Sequence, residues 1–202
     1  MISINKMTQE DWIRLQDKIK KVQDGERFDH TIGVMYTASA LAMAYGYDVN
    51  RARMVGLLHD CAKTVVPNSQ KAALCDKYGI KISDFERANP HLLHGKLGAY
   101  LAKHTYGIDD DEICSSITYH TTGKCDMTFL EQIVFIADYI EPNRNEMPRL
   151  DIIRKTAFTD LDKCTRMIMS DTLDYLVESG RPVDTETRQA YEFYMHKGED
   201  DR

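Results

Sequence analysis

Several features that mark particular protein classes are scarce in this chain of 202 residues. It contains only five prolines and eleven glycines, and 43% of its residues are hydrophobic, which excludes a disordered or collagen-like chain. No apolar run is long enough to span a bilayer, and the polar start lacks the apolar core of a signal peptide. We therefore expect a globular protein that makes no use of a membrane.

Cysteine and positive charge are also limited. The five cysteines are odd in number and none belongs to a Cys-x-x-Cys motif, which argues against a disulfide framework and against a cysteine-ligated zinc site. Reduced thiols favour a cytoplasmic location. The formal net charge of −6 disfavours a nucleic-acid-binding protein, which would need a broad basic face. A small polyphosphate ligand is still compatible, because it needs only local cations and metal ions.

Helical periodicity runs through most of the chain, and no segment shows the two-residue alternation of a half-buried strand. The pattern predicts helices over about residues 28–45, 67–78 and 159–179, the first two ended by Gly46 and Gly79. Three pairs have the spacing of a capping box at a helix start, namely Thr8 with Asp11, Asp109 with Glu112, and Thr128 with Glu131. These features predict an all-α fold in a single domain.

Five segments place a histidine or aspartate among the apolar residues of a predicted helix, at His30, His59-Asp60, His94, His120 and Asp138. A carboxylate on a buried stripe is costly unless it is paired or binds a metal, so a buried salt bridge and a metal ligand explain Asp138 equally well. A satisfied core histidine would explain His30 or His120 taken alone. Only the set as a whole favours a metal site.

The adjacent pair His59-Asp60 strengthens that interpretation. Neighbouring helical residues diverge by about 100°, so one apolar face cannot bury both. Near a helix end both can reach one metal ion, and the Asp60 carboxylate is free to bridge to a second. Imidazole and carboxylate together suit Fe, Mn or Zn better than Ca or Mg. The residues thus predict a divalent metal site with one or two ions.

Longer motifs around these residues carry a family resemblance, chiefly RFDHTIGVMYTA, ARMVGLLHDCAK and ITYHTTGKCDMTFLEQIVFIADYIEPNR. The chain resembles the HD-domain superfamily, and within it the YqeK family of symmetrical diadenosine tetraphosphate hydrolases. The resemblance covers nearly the whole chain. It implies one helical HD-domain bundle over residues 1–202, with a core at about 26–145 that the C-terminal helices complete.

The resemblance also implies roles for individual residues. His30, His59, Asp60 and Asp138 are expected to bind one metal ion, which is iron in the family. His94 and His120 are expected to complete a second metal position or to hold the substrate phosphates. The C-terminal segment PVDTETRQAYEF only approximates the family's pattern, and Thr185 is the residue in it expected to contact the substrate.

Hydrolysis of a phosphoanhydride needs a nucleophilic hydroxide and neutralisation of phosphate charge, and two metal ions can provide both. Asp60 is the candidate to bridge the ions and orient the hydroxide. Either His94 or His120, if it is not a ligand, could protonate the leaving oxygen. The expected phosphate contacts are Arg27 and Lys63, each one helical turn from a candidate ligand, and Arg144 in the loop after Asp138.

The resemblance implies a metal-dependent hydrolase that cleaves diadenosine tetraphosphate into two ADP molecules. Two alternatives share the same motifs: an HD-domain phosphohydrolase acting on another nucleotide, and a nucleotide-binding regulatory protein. The expected partner is a small nucleotide and not a nucleic acid. A monomer and a homodimer both fit the sequence, because an apolar helix face suits a core and an interface equally.

Overall fold

The computed structural model describes residues 4–200, and within that range the chain is helical with no strand. The all-α fold predicted from the sequence is confirmed. Two short 3-10 helices, Ile4–Lys6 and Pro90–Leu93, accompany eleven α-helices in the described residues. The α-helices are α1 (Gln9–Lys20), α2 (Gly25–Tyr45), α3 (Val49–Leu58), α4 (Asn68–Tyr78), α5 (Asp84–Ala88), α6 (His94–His104), α7 (Asp111–Tyr119), α8 (Phe129–Ile140), α9 (Leu150–Ala157), α10 (Leu161–Glu178) and α11 (Thr185–Asp200).

Two of the three predicted capping boxes are present. The Thr8 hydroxyl accepts from the backbone N–H of Asp11, and the Asp11 carboxylate accepts from the Thr8 N–H in return. Thr128 and Glu131 form the same reciprocal pair at the start of α8. Each pair satisfies backbone donors that a helix start leaves free. The glycine stop at Gly46 is also confirmed, with the left-handed φ of 68° that glycine adopts without strain.

The third predicted capping box, Asp109 with Glu112, is wrong. The N-cap of α7 is Asp110, whose carboxylate accepts from the backbone N–H of Ile113 at 3.0 Å. Asp109 instead forms an ion pair with Lys103 at the end of α6, with Nζ and Oδ1 2.6 Å apart. Asp110 also accepts from Arg51 Nη2 at 2.6 Å, so it both caps α7 and joins α7 to α3.

Helix boundaries differ from the predicted ones at two places. The second helix starts at Gly25 and not near residue 28, because Asp24 accepts from the Arg27 N–H and caps it three residues earlier. The helix predicted over 159–179 is α10, and the separate helix α9 precedes it. The C-terminal helix α11 packs back on α10 and buries Ala190 and Tyr194 in the main core.

The core holds α2, α3, α7 and α8 together around the candidate ligands. Helix α8 is buried along most of its length, and α2 crosses α3 closely at Gly56. A Cβ added to Gly56 would lie 2.6 Å from the Met35 Cα, so only glycine permits this approach of the two backbones. Within the described part of the chain, no helix has both the length and the apolar character required to cross a membrane.

Gly56→Ala is expected to lower the free energy of unfolding by roughly 1–3 kcal/mol, because the added methyl group forces α2 and α3 apart. The measurement is denaturant unfolding followed by circular dichroism. Gly25→Ala is the matched control, since nothing lies within 4 Å of its added Cβ and its free energy of unfolding should change by less than about 1 kcal/mol. Equal stability of Gly56→Ala and the original protein would contradict the close crossing.

Candidate metal centre

All six candidate ligands come together in one small volume between α2, α3, α6, α7 and α8. His59 ends α3, His120 ends α7 and His94 begins α6, so three of them lie at helix termini. His30 lies within α2 and Asp138 within α8. The six side chains come from five segments spread over more than a hundred residues: His30, His59, Asp60, His94, His120 and Asp138.

Three of them form a first cluster, the His30–His59–Asp138 group. The Nε2 atom of His30 lies 3.0 Å from Asp138 Oδ1 and 3.4 Å from the Nε2 atom of His59. One ligand atom from each residue lies within 4.8 Å of the others, a spacing that fits one metal ion.

A second cluster, the His59–Asp60–His120 group, shares His59 with the first and meets the same 4.8 Å spacing. Asp60 Oδ1 lies 3.6 Å from His120 Nε2 and 3.3 Å from His94 Nε2. Asp60 Oδ2 lies 3.9 Å from His59 Nε2. His94 adds a fourth nitrogen beside this group. His59 has one free lone pair, on Nε2, and can bind one ion only. With His59 in the first group, Asp60, His94 and His120 remain as donors for a second ion.

The tautomers of the histidines leave lone pairs facing inward. Three Nδ1 atoms lie within hydrogen-bond distance of a backbone carbonyl three residues earlier, at 2.6–2.7 Å: His59 with Gly56, His94 with His91, and His120 with Ile117. A carbonyl only accepts, so Nδ1 carries the proton and Nε2 presents a lone pair.

These inward lone pairs fit a cation. The Nε2 atoms of His94 and His120 are 3.1 Å apart, and neither has a proton to donate to the other. Asp60 Oδ1 is buried and accepts no hydrogen bond. Facing lone pairs and an unpartnered buried carboxylate oxygen are unfavourable unless a positive ion lies among them. The donor set therefore fits divalent metal ions.

Burial and mutual charge set the ionisation of these groups. Burial lowers the pKa of His59 to about 4, so this imidazole is neutral at pH 7. The pKa of His94 is also well below its usual value because of burial and the neighbouring His120 and Lys63. Burial alone would raise the pKa of Asp60, but His59, His120 and Lys63 outweigh it and the pKa is far below the usual range. Neutral imidazoles and ionised carboxylates are the forms that bind metal.

The three cations predicted to contact phosphate all border this cluster. Arg27 Nη1 donates to Asp60 Oδ2 at 2.8 Å, and Arg144 Nη2 donates to Asp138 Oδ1 at 2.9 Å. Lys63 Nζ lies 3.1 Å from His94 Nε2 and 3.4 Å from Asp60 Oδ1. Each of the three side chains is about a third exposed or more, so each can meet a ligand.

One cavity opens onto the cluster, and a second lies next to it. The first has a volume of 780 Å³, and its walls include the three cations together with His30, Asp60 and Asp138. The second, of 580 Å³, is lined by residues that include Phe85, Leu176, Arg181 and Thr121, and the Thr121 hydroxyl lies 3.1 Å from His94 Nε2. Thr185, the predicted substrate contact in the C-terminal segment, is exposed at the start of α11. Its neighbours Asp184 and Thr187 line the second cavity instead.

Glu141 also contacts the cluster, a contact not predicted from the sequence. This carboxylate is only 1% exposed, and its Oε1 atom lies 3.0 Å from His30 Nδ1. His30 is thus the one member of the four histidines whose Nδ1 faces a carboxylate and not a carbonyl. The available signal was the spacing of Glu141 from Asp138, since residues three apart share a helix face. His30 itself lies 111 residues away in the chain, and no local pattern reports that contact.

A model of the HD domain matches residues 27–143, which include all six candidate ligands. The chain belongs to the HD-domain family. HD-domain hydrolases bind divalent metals, and the His and Asp cluster of this chain could hold such an ion.

Curated relatives narrow the group within the HD-domain family. The chain is 36% identical over 178 residues to the symmetrical bis(5'-nucleosyl)-tetraphosphatase of Bacillus subtilis, covering 88% of this chain and 94% of the relative. It is 34% identical to the Staphylococcus aureus protein of the same name, over 86% of this chain and 89% of the relative. The resemblance to this group that the motifs indicated is confirmed.

A solved structure agrees with the fold. The crystal structure of an HD superfamily hydrolase from Clostridium acetobutylicum, described as involved in NAD metabolism, superimposes with a TM-score of 0.88. It is 36% identical in sequence, and the match covers 92% of this chain and 97% of that one. The helices that carry the six candidate ligands therefore belong to a fold that this chain shares with that hydrolase.

His59→Ala and Asp60→Asn are expected to lose bound metal, because His59 is a buried donor of the first group and Asp60 is the buried carboxylate of the second. The loss in affinity should exceed the ~10–100-fold that removal of a mere hydrogen-bond partner of a ligand costs. The measurement is metal content after purification under nitrogen with Fe²⁺ or Mn²⁺, followed by titration. His104→Ala, an exposed histidine stacked on Tyr100, is the control that should keep full metal content. Full metal content in both cluster variants would refute the centre.

Proposed function

We propose that this protein is a metal-dependent hydrolase that cleaves diadenosine tetraphosphate symmetrically into two ADP molecules. One observation carries the proposal: the match to the symmetrical tetraphosphatases extends over nearly their whole length and includes the complete cluster of six candidate ligands. The cationic cavity beside the cluster supports a polyphosphate ligand.

We propose that one divalent ion binds at the His30–His59–Asp138 group and that a second binds beside it at Asp60, His94 and His120. Mixed imidazole and carboxylate donors favour Fe, Mn or Zn over Ca or Mg, and iron is the ion expected from the family resemblance. When bound, a pair of such ions lowers the pKa of water and neutralises phosphate charge. Their binding would also relieve the repulsion between the inward-facing Nε2 lone pairs.

Asp60 is the residue we expect next to the attacking water. Its Oδ1 and Oδ2 atoms face opposite sides of the cluster, so the carboxylate can accept a hydrogen bond from water and fix its direction of attack. Arg27 donates to Oδ2 and keeps this carboxylate oriented. A fixed orientation matters because the displacement must proceed in line with the leaving oxygen.

Lys63 is the better candidate for contact with the leaving phosphate. His94 has its Nδ1 proton engaged with the His91 carbonyl, and its Nε2 faces Asp60 and His120, which leaves it no proton to give to the substrate. The Lys63 ammonium lies next to His94, borders the first cavity and carries three protons. It can therefore neutralise charge on the leaving oxygen as that charge develops.

The two cavities suit the two halves of a symmetric substrate. A chain of four phosphates cut at its centre leaves a nucleoside diphosphate on each side of the cluster. The first cavity offers cations for phosphate, whereas the second combines the apolar walls Phe85 and Leu176 with Arg181 and suits a nucleoside. We propose that the C-terminal segment contacts this nucleoside through the neighbours of Thr185.

Product analysis tests the proposed reaction. Diadenosine tetraphosphate, incubated anaerobically with the Fe²⁺- or Mn²⁺-loaded protein, is expected to give ADP as the only nucleotide product on ion-exchange chromatography. The same assay on a panel of dinucleoside polyphosphates and mononucleotides measures substrate preference. Formation of ATP and AMP in equal amounts, or faster turnover of a mononucleotide, would contradict the proposal.

Lys63→Met is expected to lower kcat by about 100-fold, the effect typical of removing one group that stabilises transition-state charge. KM should change less, because Arg27 and Arg144 still hold the phosphates. Lys96→Met is the matched control: this lysine pairs with Glu86 away from the cluster, so its removal should leave kcat unchanged. Equal kcat for the two variants would exclude Lys63 from the reaction.

A further inference from the structure

The four histidines of the cluster do not share the same kind of hydrogen-bond partner. His59, His94 and His120 each direct Nδ1 to a neutral backbone carbonyl, whereas His30 directs Nδ1 to the Glu141 carboxylate at 3.0 Å. A carboxylate accepts a stronger hydrogen bond from Nδ1–H than a carbonyl does. That stronger bond makes Nε2, the opposite ring nitrogen, a better electron donor to a metal ion. His30 is thus electronically distinct from the other three.

The position of His30 in its helix explains the difference. The other three histidines stand at helix termini, where the ring can fold back on a carbonyl three residues earlier. His30 lies inside α2, where the helix's own hydrogen bonds use the preceding carbonyls. Both of its partners lie in the last turn of α8 and its C-cap. Asp138 Oδ1 lies 3.0 Å from His30 Nε2, and Glu141 Oε1 lies 3.0 Å from His30 Nδ1.

Glu141 is held firmly in place. Its Oε2 atom accepts from the backbone N–H of Asn143 at 2.7 Å, and its carbonyl accepts from Arg154 Nη2 at 2.8 Å. A Cβ added to Gly33 would overlap Oε2, so the carboxylate occupies the space that this glycine leaves on α2. Among the described residues, the basic side chain that pairs with Glu141 is His30. Burying a carboxylate costs free energy, and the contact with His30 offsets part of that cost.

We propose that Glu141 is a positioning residue that fixes the His30 ring and its tautomer and strengthens metal binding at the His30–His59–Asp138 group. The inference rests on the metal centre proposed above. It implies that the two metal positions differ. In the first group, the Nδ1 atom of His30 faces the charged Glu141 carboxylate, whereas in the second group the Nδ1 atoms of the histidines face neutral backbone carbonyls. The charge of Glu141 therefore strengthens retention of the ion at the first group.

Glu141→Gln tests this, because glutamine keeps the shape and one acceptor atom but removes the charge. The probe is Mn²⁺, titrated into the metal-free protein by calorimetry. In Glu141→Gln, we expect Mn²⁺ affinity at the His30–His59–Asp138 group to fall ~10–100-fold, the usual effect of losing such a hydrogen-bond partner. Glu141→Ala should lower that affinity by at least as much. Glu131→Gln is the matched control: Glu131 is equally buried at the other end of α8 and pairs with Lys124, so its loss should leave Mn²⁺ affinity unchanged.

Two further measurements guard against a variant that merely folds poorly. Gly33→Ala displaces the Glu141 carboxylate without removing it and should weaken Mn²⁺ binding in the same direction. In Zn²⁺-loaded protein with ¹⁵N-labelled histidine, the Nδ1–H signal of His30 should be protected from exchange in the original protein and lost in Glu141→Ala.

The outcomes separate this inference from the proposed function. Failure of the original protein to bind Mn²⁺ would refute the metal centre and this inference with it. Tight binding by the original protein and equal binding by Glu141→Gln would overturn the role of Glu141 alone. Weaker binding by Glu131→Gln to the same degree would also overturn it, because a general loss of stability would then explain both variants.

Discussion

The structure depends on holding four imidazole nitrogens and two carboxylates close together in a buried space. These groups repel one another through their lone pairs and negative charges, and burial removes the water that would otherwise screen them. Arg27, Lys63 and Arg144 offset part of this repulsion by pairing with the two carboxylates. Packing of the helices around the apolar core keeps these groups close together. Binding of a metal ion would then offset part of the free energy that this arrangement costs.

The helix termini fix the orientation of three of the four histidine rings. At the end of α3 and of α7, and at the start of α6, a histidine ring turns back on the carbonyl three residues earlier and is oriented by its own backbone. The relative placement of the termini then depends on close helix crossings. A Cβ on Gly95 would overlap the Thr118 carbonyl, so α6 can approach α7 closely just beside His94 and His120. The orientation of each ring is thus determined within its own segment, whereas the distance between rings is determined by how the helices pack.

That division explains how much the sequence could predict. Capping at Thr8 and Thr128 and the helix stop at Gly46 are local and were found from residue spacing. Helix α9 was not predicted, although Leu150, Ile153 and Ala157 stand at the i, i+3 and i+7 positions of one buried helix face. At eight residues it makes only about two turns, so this stripe has just three members. The cluster was found because its members carry recognisable chemistry within family motifs. The contact of Glu141 with His30 joins segments 111 residues apart, and only tertiary structure brings it into view.

The cations around the cluster connect metal binding with phosphate binding. Arg27 and Arg144 donate to the same carboxylates that face the histidines, Asp60 and Asp138. An ion bound to those carboxylates would draw off part of their negative charge and weaken their hold on both guanidinium groups. Each guanidinium group could then share its remaining N–H donors with phosphate in the first cavity, which both side chains border. Because such coupling is reciprocal, phosphate bound to Arg27 and Arg144 would in turn leave the carboxylates more available to metal.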